Sequence, residues 1–251
     1  MTIDLNSDLG ESLESLANGT DYQIMRHITS ANVACGGHAG DAHTMRQTLL
    51  WAKELGVAVG AHPSYPDRTN FGRRELALPP DEIEPAVREQ IATLCDVARE
   101  IGLSVTHVKA HGALYHACSA KAEIAQAVGR AALAIDPGMI MYAQAGAAAI
   151  DTWKQMGLRC ASEAFADRAY EQDGRLRDRR LAGALLDPAQ AAAQAVDIAL
   201  RRGVLLTDGT MLPLTADTIC IHSDTPGAVA IASEVNRRLK AAGIEVKSLV
   251  P

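Results

Sequence analysis

Short apolar runs alternate with longer amphipathic stretches from one end of the chain to the other. Runs rich in β-branched residues at 2–8, 30–34, 57–62, 104–109, 139–143, 159–164 and 218–222 predict seven strands. Between them, apolar residues return at helical spacing. The stretch 43–55 sets Gln47, Leu50, Trp51 and Leu55 on a partly apolar face, with Asp41 as N-cap and Gly56 as stop. The stretch 81–101 carries Ile83, Val87, Ile91, Leu94, Ala98 and Ile101 on one stripe, closed by Gly102. Pro85 must then lie in the first turn, or the helix must begin later. Stretches 120–135, 145–156, 188–201 and 226–242 predict further helices, the last capped by Asp224-Thr225 with Pro226 as its first residue. Residues 204–214, around Asp208-Gly209, read as a hairpin ahead of the final strand.

A βαβα order implies a parallel sheet with helices outside it. Nothing splits the chain into units, so residues 1–251 read as one domain. Seven strands fit a distorted or incomplete β/α barrel better than an eightfold one. The first strand sharpens this picture. Period two puts Asp4, Asn6 and Asp8 on one face, against Ile3, Leu5 and Leu9 on the other. Inside a barrel that face points inward, where unpaired charge is costly, so it reads as part of a site.

The chain has 251 residues, 48% hydrophobic and 22% charged, enough to bury a sizeable core. Aromatics are only 4%, so the core is mostly Ala, Val, Leu and Ile. The net charge of −6, with no basic stripe, argues against nucleic acid. Five separated cysteines without C-x-x-C spacing read as reduced thiols of a cytoplasmic protein. No signal-peptide pattern opens the sequence, and no apolar run approaches the roughly 18 residues of a membrane span.

Polar residues collect where the predicted strands end. Asp8 and Glu11 follow the first. Asn32 and His38, in a Gly-rich loop, follow the second. His62, Tyr65 and Arg73 follow the third, Lys109 and His111 the fourth, Glu163, Asp167 and Arg168 the sixth, and His222 and Asp224 the last. Ligands of parallel β/α folds bind at these carboxyl ends. A His/Asp set suits either a divalent metal with an activated water, through Asp8 and two histidines, or metal-free acid–base catalysis. Asp8, His38, His62, Lys109, His111, Glu163 and His222 are the candidate catalytic residues. Asn6, Glu11, Asn32, Tyr65, Arg73, Asp167, Arg168 and Asp224 are candidates for substrate contact. His107 reads as a core residue, His27 and His116 as surface residues, and His43 as structural. The charged stretch 174–180 reads as a solvated lid or partner surface. No G-x-S-x-G elbow and no G-x-x-x-x-G-K-[ST] nucleotide loop occurs.

Taken together, Asp4-Leu5-Asn6-Ser7-Asp8-Leu9-Gly10-Glu11, Asn32 to Asp41, Gly60 to Asp67, Phe71-Gly72-Arg73-Arg74, His111 to Tyr115, Glu163 to Arg168 and Cys220 to Pro226 resemble the LamB/YcsF family over essentially the whole chain. Lys109-Ala110-His111 stands where that family usually has Lys-Pro-His, and His222-Ser223-Asp224 where it has His-Gly-Asp; both keep the polar residues. The resemblance implies a seven-stranded β/α barrel of the glycoside hydrolase/deacetylase type. It implies cleavage of the lactam of 5-oxoproline to glutamate coupled to ATP hydrolysis, and partner subunits B and C of a 5-oxoprolinase. The missing nucleotide loop points to nucleotide handling shared with, or sited on, a partner. Two other readings are a stand-alone metal-dependent deacetylase and a non-catalytic substrate-binding subunit.

Overall fold

Strand β1 (Thr2–Leu9) leads into two short helices, α1 (Leu13–Ala17) and α2 (Thr20–Met25), which the apolar pattern does not announce. The computed structural model describes residues 1–206 and 208–250. After α2 come β2 (Ser30–Ala34), α3 (Ala42–Leu55), β3 (Ala58–His62), α4 (Pro80–Ile101), β4 (Val105–Lys109), α5 (Gly112–Ala120), α6 (Ala122–Leu133), β5 (Ile140–Gln144), α7 (Ala148–Gln155) and β6 (Arg159–Phe165). The chain finishes with α8 (Pro188–Arg201), an antiparallel pair β7 (Gly203–Leu205) and β8 (Met211–Pro213), then β9 (Thr218–Cys220), α9 (Ala228–Ala241) and β10 (Glu245–Val246). The pair is the expected hairpin; Thr207 within it lies outside the described residues.

Parallel pairing runs β1-β2-β3-β4-β5-β6-β9 and returns from β9 to β1. The barrel is therefore closed rather than incomplete. One residue shows how: Thr218 sits opposite Glu163 on β6 and opposite Asp4 on β1. Outward residues of the strands, such as Leu5, Val33, Val59, Val108 and Ile219, join the helices in one large apolar core. The inside differs. A small separate cluster of Ile140, Tyr142 and Ala161 is packed by Leu249 and Val250 near the chain end. Above it the interior is polar, and its groups satisfy one another.

Asp4 Oδ1 accepts hydrogen bonds from Thr29 and Ser30, both at 2.7 Å, and its Oδ2 accepts one from Thr218. Burial still raises the Asp4 carboxyl above its ordinary range. Asn32 Nδ2 donates to Asn6 Oδ1 and to Asp8 Oδ1, each at 2.8 Å. His107 donates to Asn32 Oδ1 at 2.9 Å and stacks on Tyr142; burial pushes its pKa down to about 3, so it is a neutral core residue as expected.

Three helix expectations need correction. Helix α4 starts at Pro80, so Pro85 lies in its second turn and α4 runs through it. The carbonyl that loses its partner belongs to Asp81, which is exposed and reaches water. The helix expected over 120–135 is α6, but it begins only at Ala122, because Lys121 is extended (φ −135°, ψ 110°) and separates it from α5. Asp224, Thr225 and Pro226 do not start the last helix. Gly227, with φ of 78°, caps α9 because Asp224 is taken by Arg73 and Arg179, and Thr225 by Asp167. Asp41 and Gly56 cap α3 as expected, with a reciprocal bond between Asp41 and Thr44.

Candidate active site

The inward face of β1 ends in Asp8. Across the barrel, Lys109 ends β4 and Glu163 lies on β6 near its carboxyl end. Lys109 Nζ lies 2.9 Å from Asp8 Oδ1 and 2.8 Å from Glu163 Oε1, and Cys220 Sγ is 3.1 Å away. The contact with Glu163 Oε1 is a close ion pair rather than an aligned hydrogen bond, while Tyr115 donates to Oε2 at 2.8 Å. Lys109 and Glu163 are buried, at 3% and 0% exposure, so each charge depends on the other. Burial pushes the Lys109 ammonium down, but Asp8, Cys220 and Glu163 outweigh it and hold the group well above its ordinary value. Burial pushes Asp8 up, but His62 and Lys109 hold it well below the carboxylate range. Asp8 Oδ1 takes both Lys109 and Asn32. Its Oδ2 is left toward His62 Nε2, 3.5 Å away.

A second group gathers beside this ion pair. Glu11 Oε1 lies 2.9 Å from His38 Nε2, 3.1 Å from His111 Nδ1 and 3.6 Å from His62 Nε2. Burial pushes Glu11 up, yet the adjoining His111, His38 and His62 side chains hold it well below its ordinary value. His38 is driven down to about 4 by burial, so it is neutral near pH 7 and donates through Nε2. Its ring lies flat on His111, with centroids 3.7 Å apart. His62 keeps a raised pKa, because Asp8 and Glu11 overcome its burial. Gly72, at φ 63°, lets the loop after β3 come close: a Cβ there would stand 2.9 Å from His38 Cβ and 3.0 Å from the His111 ring.

On the other side, Asp167 follows β6 and fixes His222. Asp167 Oδ1 is 3.0 Å from His222 Nδ1, and Thr225 donates to Oδ2. Since a carboxylate accepts, Nδ1 carries the proton and Nε2 is left free. Burial pushes Asp167 up, but His222 and Thr225 hold it low. A cavity of about 480 Å³ opens over all three groups. Its wall includes Asp8, Glu11, His62, Lys109, His111 and His222.

Six residues expected at one cavity, Asp8, His38, His62, His111, Glu163 and His222, do converge at the carboxyl end of the barrel. Glu163 and His38 lie behind the wall, reaching it through Lys109 and Glu11. Arg73, Arg168 and Asp224 line the cavity. Asn6 and Asn32 do not; both are spent on bonds inside the barrel below Asp8, so they position the floor rather than meet a ligand. Asp167 acts through His222. Tyr65 is not at the site but packed in the apolar core, at 2% exposure, where its ring contributes to packing rather than to the cavity wall. His43 is exposed and His27 half-buried, as befits residues off the site; His116, expected on the surface, is exposed but also lines the cavity. The stretch 174–180 is only partly a solvated lid. Leu176 and Arg179 line the cavity, and Arg179 joins Arg73 on Asp224 Oδ2, at 2.6 and 2.7 Å. Sequence reasoning also passed over Phe165, stacked on His222, and Tyr115. Tyr115 follows Lys109 by six residues on the turn that opens α5, a position that could have suggested it.

A closed seven-stranded β/α barrel with buried carboxylates, an ammonium and imidazoles at its carboxyl end defines the class of protein. More narrowly, the LamB/YcsF family model matches residues 3–251, and the chain belongs to that family. It is 50% identical over 249 residues to the 5-oxoprolinase A subunit of Chloroflexus aggregans, covering 99% of both chains. The lactam utilization protein of Thermus thermophilus superposes with a TM-score of 0.92 at 40% identity, over 99% of this chain and 100% of that one. A family 4 carbohydrate esterase of Streptomyces lividans, at 9% identity and a TM-score of 0.50 over 100% of this chain and 93% of that one, shares the fold alone. Among the described residues no helix is long and apolar enough to cross a membrane.

Proposed function

We propose that this chain is the A subunit of an ATP-dependent, cytoplasmic 5-oxoprolinase and opens the lactam of 5-oxoproline to glutamate. The observation that carries the reading is the desolvated Asp8–Lys109–Glu163 ion cluster under an imidazole-lined cavity, in a chain half identical to a protein named as the A subunit of 5-oxoprolinase.

A five-membered lactam is an unactivated amide. Transfer of the terminal phosphoryl group of ATP to its oxygen makes the ring carbon electrophilic. Water then adds to that carbon, the C–N bond breaks as the ring nitrogen takes a proton, and a second water hydrolyses the resulting acyl phosphate to the carboxylate and inorganic phosphate. Nucleotide handling is assigned to the partner subunits B and C, since this sequence carries no phosphate loop. Asp8 Oδ2, its partner oxygen already neutralised by Lys109, orients the water and accepts its proton. Lys109 stabilises charge that grows on oxygen. His222, held by Asp167 through Nδ1, has Nε2 free to take a proton and pass it to the leaving nitrogen. Arg73, Arg168 and Arg179 suit the substrate carboxylate.

Glutamate release from 5-oxoproline and ATP, measured with this protein alone and with its B and C partners, tests the reading. Turnover is expected only in the full set. Asp8→Asn, folded and assembled, is expected to lower it by about 10²-fold or more. Normal turnover in that variant would move the hydrolytic site elsewhere. Deacetylation of N-acetyl sugars without ATP would replace the lactam reading with the deacetylase one.

A further inference from the structure

Three ring and carboxylate atoms above Asp8 converge with their lone pairs facing one another. His62 Nδ1 lies 2.7 Å from the Lys109 carbonyl, and His111 Nε2 lies 3.0 Å from the Phe71 carbonyl. A carbonyl only accepts, so both ring nitrogens carry protons. In the neutral imidazoles the opposite nitrogens, His62 Nε2 and His111 Nδ1, then present lone pairs. These two atoms are 3.0 Å apart, and Glu11 Oε1 lies 3.6 Å from the first and 3.1 Å from the second. Two lone pairs and a carboxylate at such distances repel unless a proton or a metal cation sits among them. Phe71 adds weight to this. Its φ of 54° lies in the left-handed region that non-glycine residues rarely adopt, and that conformation accompanies a carbonyl aimed at His111.

We propose that Glu11 Oε1, His62 Nε2 and His111 Nδ1 form a three-ligand site for one divalent transition-metal cation of the zinc class, with a fourth position open to the cavity. Bonds of about 2.0 Å in a tetrahedron set ligand atoms about 3.3 Å apart, and the observed edges of 3.0, 3.1 and 3.6 Å bracket that value. The two imidazole planes meet at 86°, so each ring can point its lone pair at one common centre. The backbone carbonyls behind them fix the tautomers, which is how metal-binding histidines are ordinarily held.

His38 is close enough to be counted with them, since its nitrogen lies within 4.8 Å of the other ligand atoms. Its geometry excludes it. The His38 and His111 planes are tilted by only 3° and stacked, so an ion in the plane of one ring lies outside the plane of the other. His38 instead donates to Glu11 and orients that ligand. Asp8, the acid expected from sequence to join two histidines, has Oδ1 bound to Lys109 and Asn32, and Glu11 takes its place. A second cluster of Asp8, Cys220 and His222 is already served by the Lys109 ammonium, which touches two of its three members.

The site stands apart from the lactam reading, because binding is measured without substrate, nucleotide or partner subunits. The full chain, stripped by chelator and dialysed, is titrated with Co²⁺ and with Zn²⁺. Bound metal is measured by elemental analysis, and Co²⁺ by its visible absorption. One ion per chain is expected, with the intense visible bands of a four-coordinate nitrogen–oxygen site. Glu11→Gln, His62→Gln and His111→Gln, checked for folding by circular dichroism, should each abolish stoichiometric uptake. His38→Gln should keep one ion per chain with affinity weakened about 10–100-fold. Should the ligand variants fail to fold, the wild-type stoichiometry and spectrum decide alone. No saturable uptake by the wild type, or a six-coordinate spectrum, would overturn the proposal and leave a proton among these atoms. Uptake that survives all three ligand variants, or that His38→Gln abolishes as fully as they do, would overturn the ligand set.

Discussion

Replacing Lys109 with methionine keeps most of the length and volume of the side chain and deletes its charge. In the folded protein this leaves Asp8 and Glu163, at 8% and 0% exposure, without the ammonium now 2.9 and 2.8 Å from them. Asn32 and Tyr115 still donate to the two carboxylates, so neither is wholly orphaned. Breaking a buried pair from one side costs about 3–5 kcal/mol, because the remaining charge stays desolvated. Here two carboxylates share that loss, and the upper half of the range is expected from urea unfolding at pH 7.5. Both acids would relieve the cost by taking up protons. The deficit against wild type should therefore shrink as the pH falls toward 5. Adding Glu163→Gln to Lys109→Met removes one of the stranded charges and should recover part of the loss, so the double variant is less destabilised than the sum of the single ones. In the assembled enzyme, loss of the donor to the developing oxyanion should lower turnover by about 10²–10³-fold. A Lys109→Met protein within about 1 kcal/mol of wild type at pH 7.5, with no recovery in the double variant, would refute the view that this ammonium neutralises the barrel floor.

Other outcomes follow from single contacts. Asp21, at 1% exposure, accepts from the Gly10 amide, yet burial lifts its pKa from 3.8 to about 6. A raised folded value favours the fold at low pH, and that contribution is lost as pH rises from about 4 through 6; Asp21→Asn should flatten this window and stabilise the protein at pH 7 by up to about 3 kcal/mol in chemical unfolding. Equal pH profiles for the two proteins would contradict it. Gly60→Ala would drive a Cβ into the His107 ring, which Tyr142 and Asn32 hold in place; a loss of about 1–3 kcal/mol is expected, and an unchanged urea midpoint would show that the ring can move. Asp167→Asn can donate an amide proton to His222 Nδ1 and so reverse its tautomer; turnover with partners should fall about 10²-fold while KM for 5-oxoproline changes little, and a KM effect alone would make the pair a binding element.

The barrel was legible because its strands carry two signals at once. Outward residues such as Leu5, Val33 and Ile219 mark the apolar core, while inward Asp4, Asn6, Asp8 and Glu163 mark a polar barrel interior. Helix limits were less legible where tertiary bonds decide them. Asp224-Thr225-Pro226 is a sound helix start in isolation, but Arg73, Arg179 and Asp167 claim its side chains first, and α9 begins at Ala228. Helix α5 was hidden for another reason. Gly112 to Ala120 follows the strand end so closely that its residues read as loop chemistry, although Leu114, Tyr115, Ala117 and Cys118 are buried along it.

The site divides along the same line. Residues at strand ends were found, since period two and the closing register place them without further information. Arg179 and Leu176 were not, because the segment after β6 has no period and is held at the cavity by tertiary contacts, among them the pair of Arg179 with Asp224, 45 residues away in sequence. The roles of the histidines lie deeper still. Sequence spacing brings His38, His62 and His111 together equally, and nothing in their order separates a ligand from a ring that orients one. What separates them is which nitrogen faces the centre, and that is set by two backbone carbonyls, of Lys109 and Phe71, that have no signature in side-chain chemistry. Among the described residues His38 has no such carbonyl; its Nδ1 is buried with no partner there, and its Nε2 is committed to Glu11. The distinction between three histidines of equal standing in the sequence therefore rests on backbone placement, which the closed barrel and the strained turn at Phe71 supply only once the whole chain has folded.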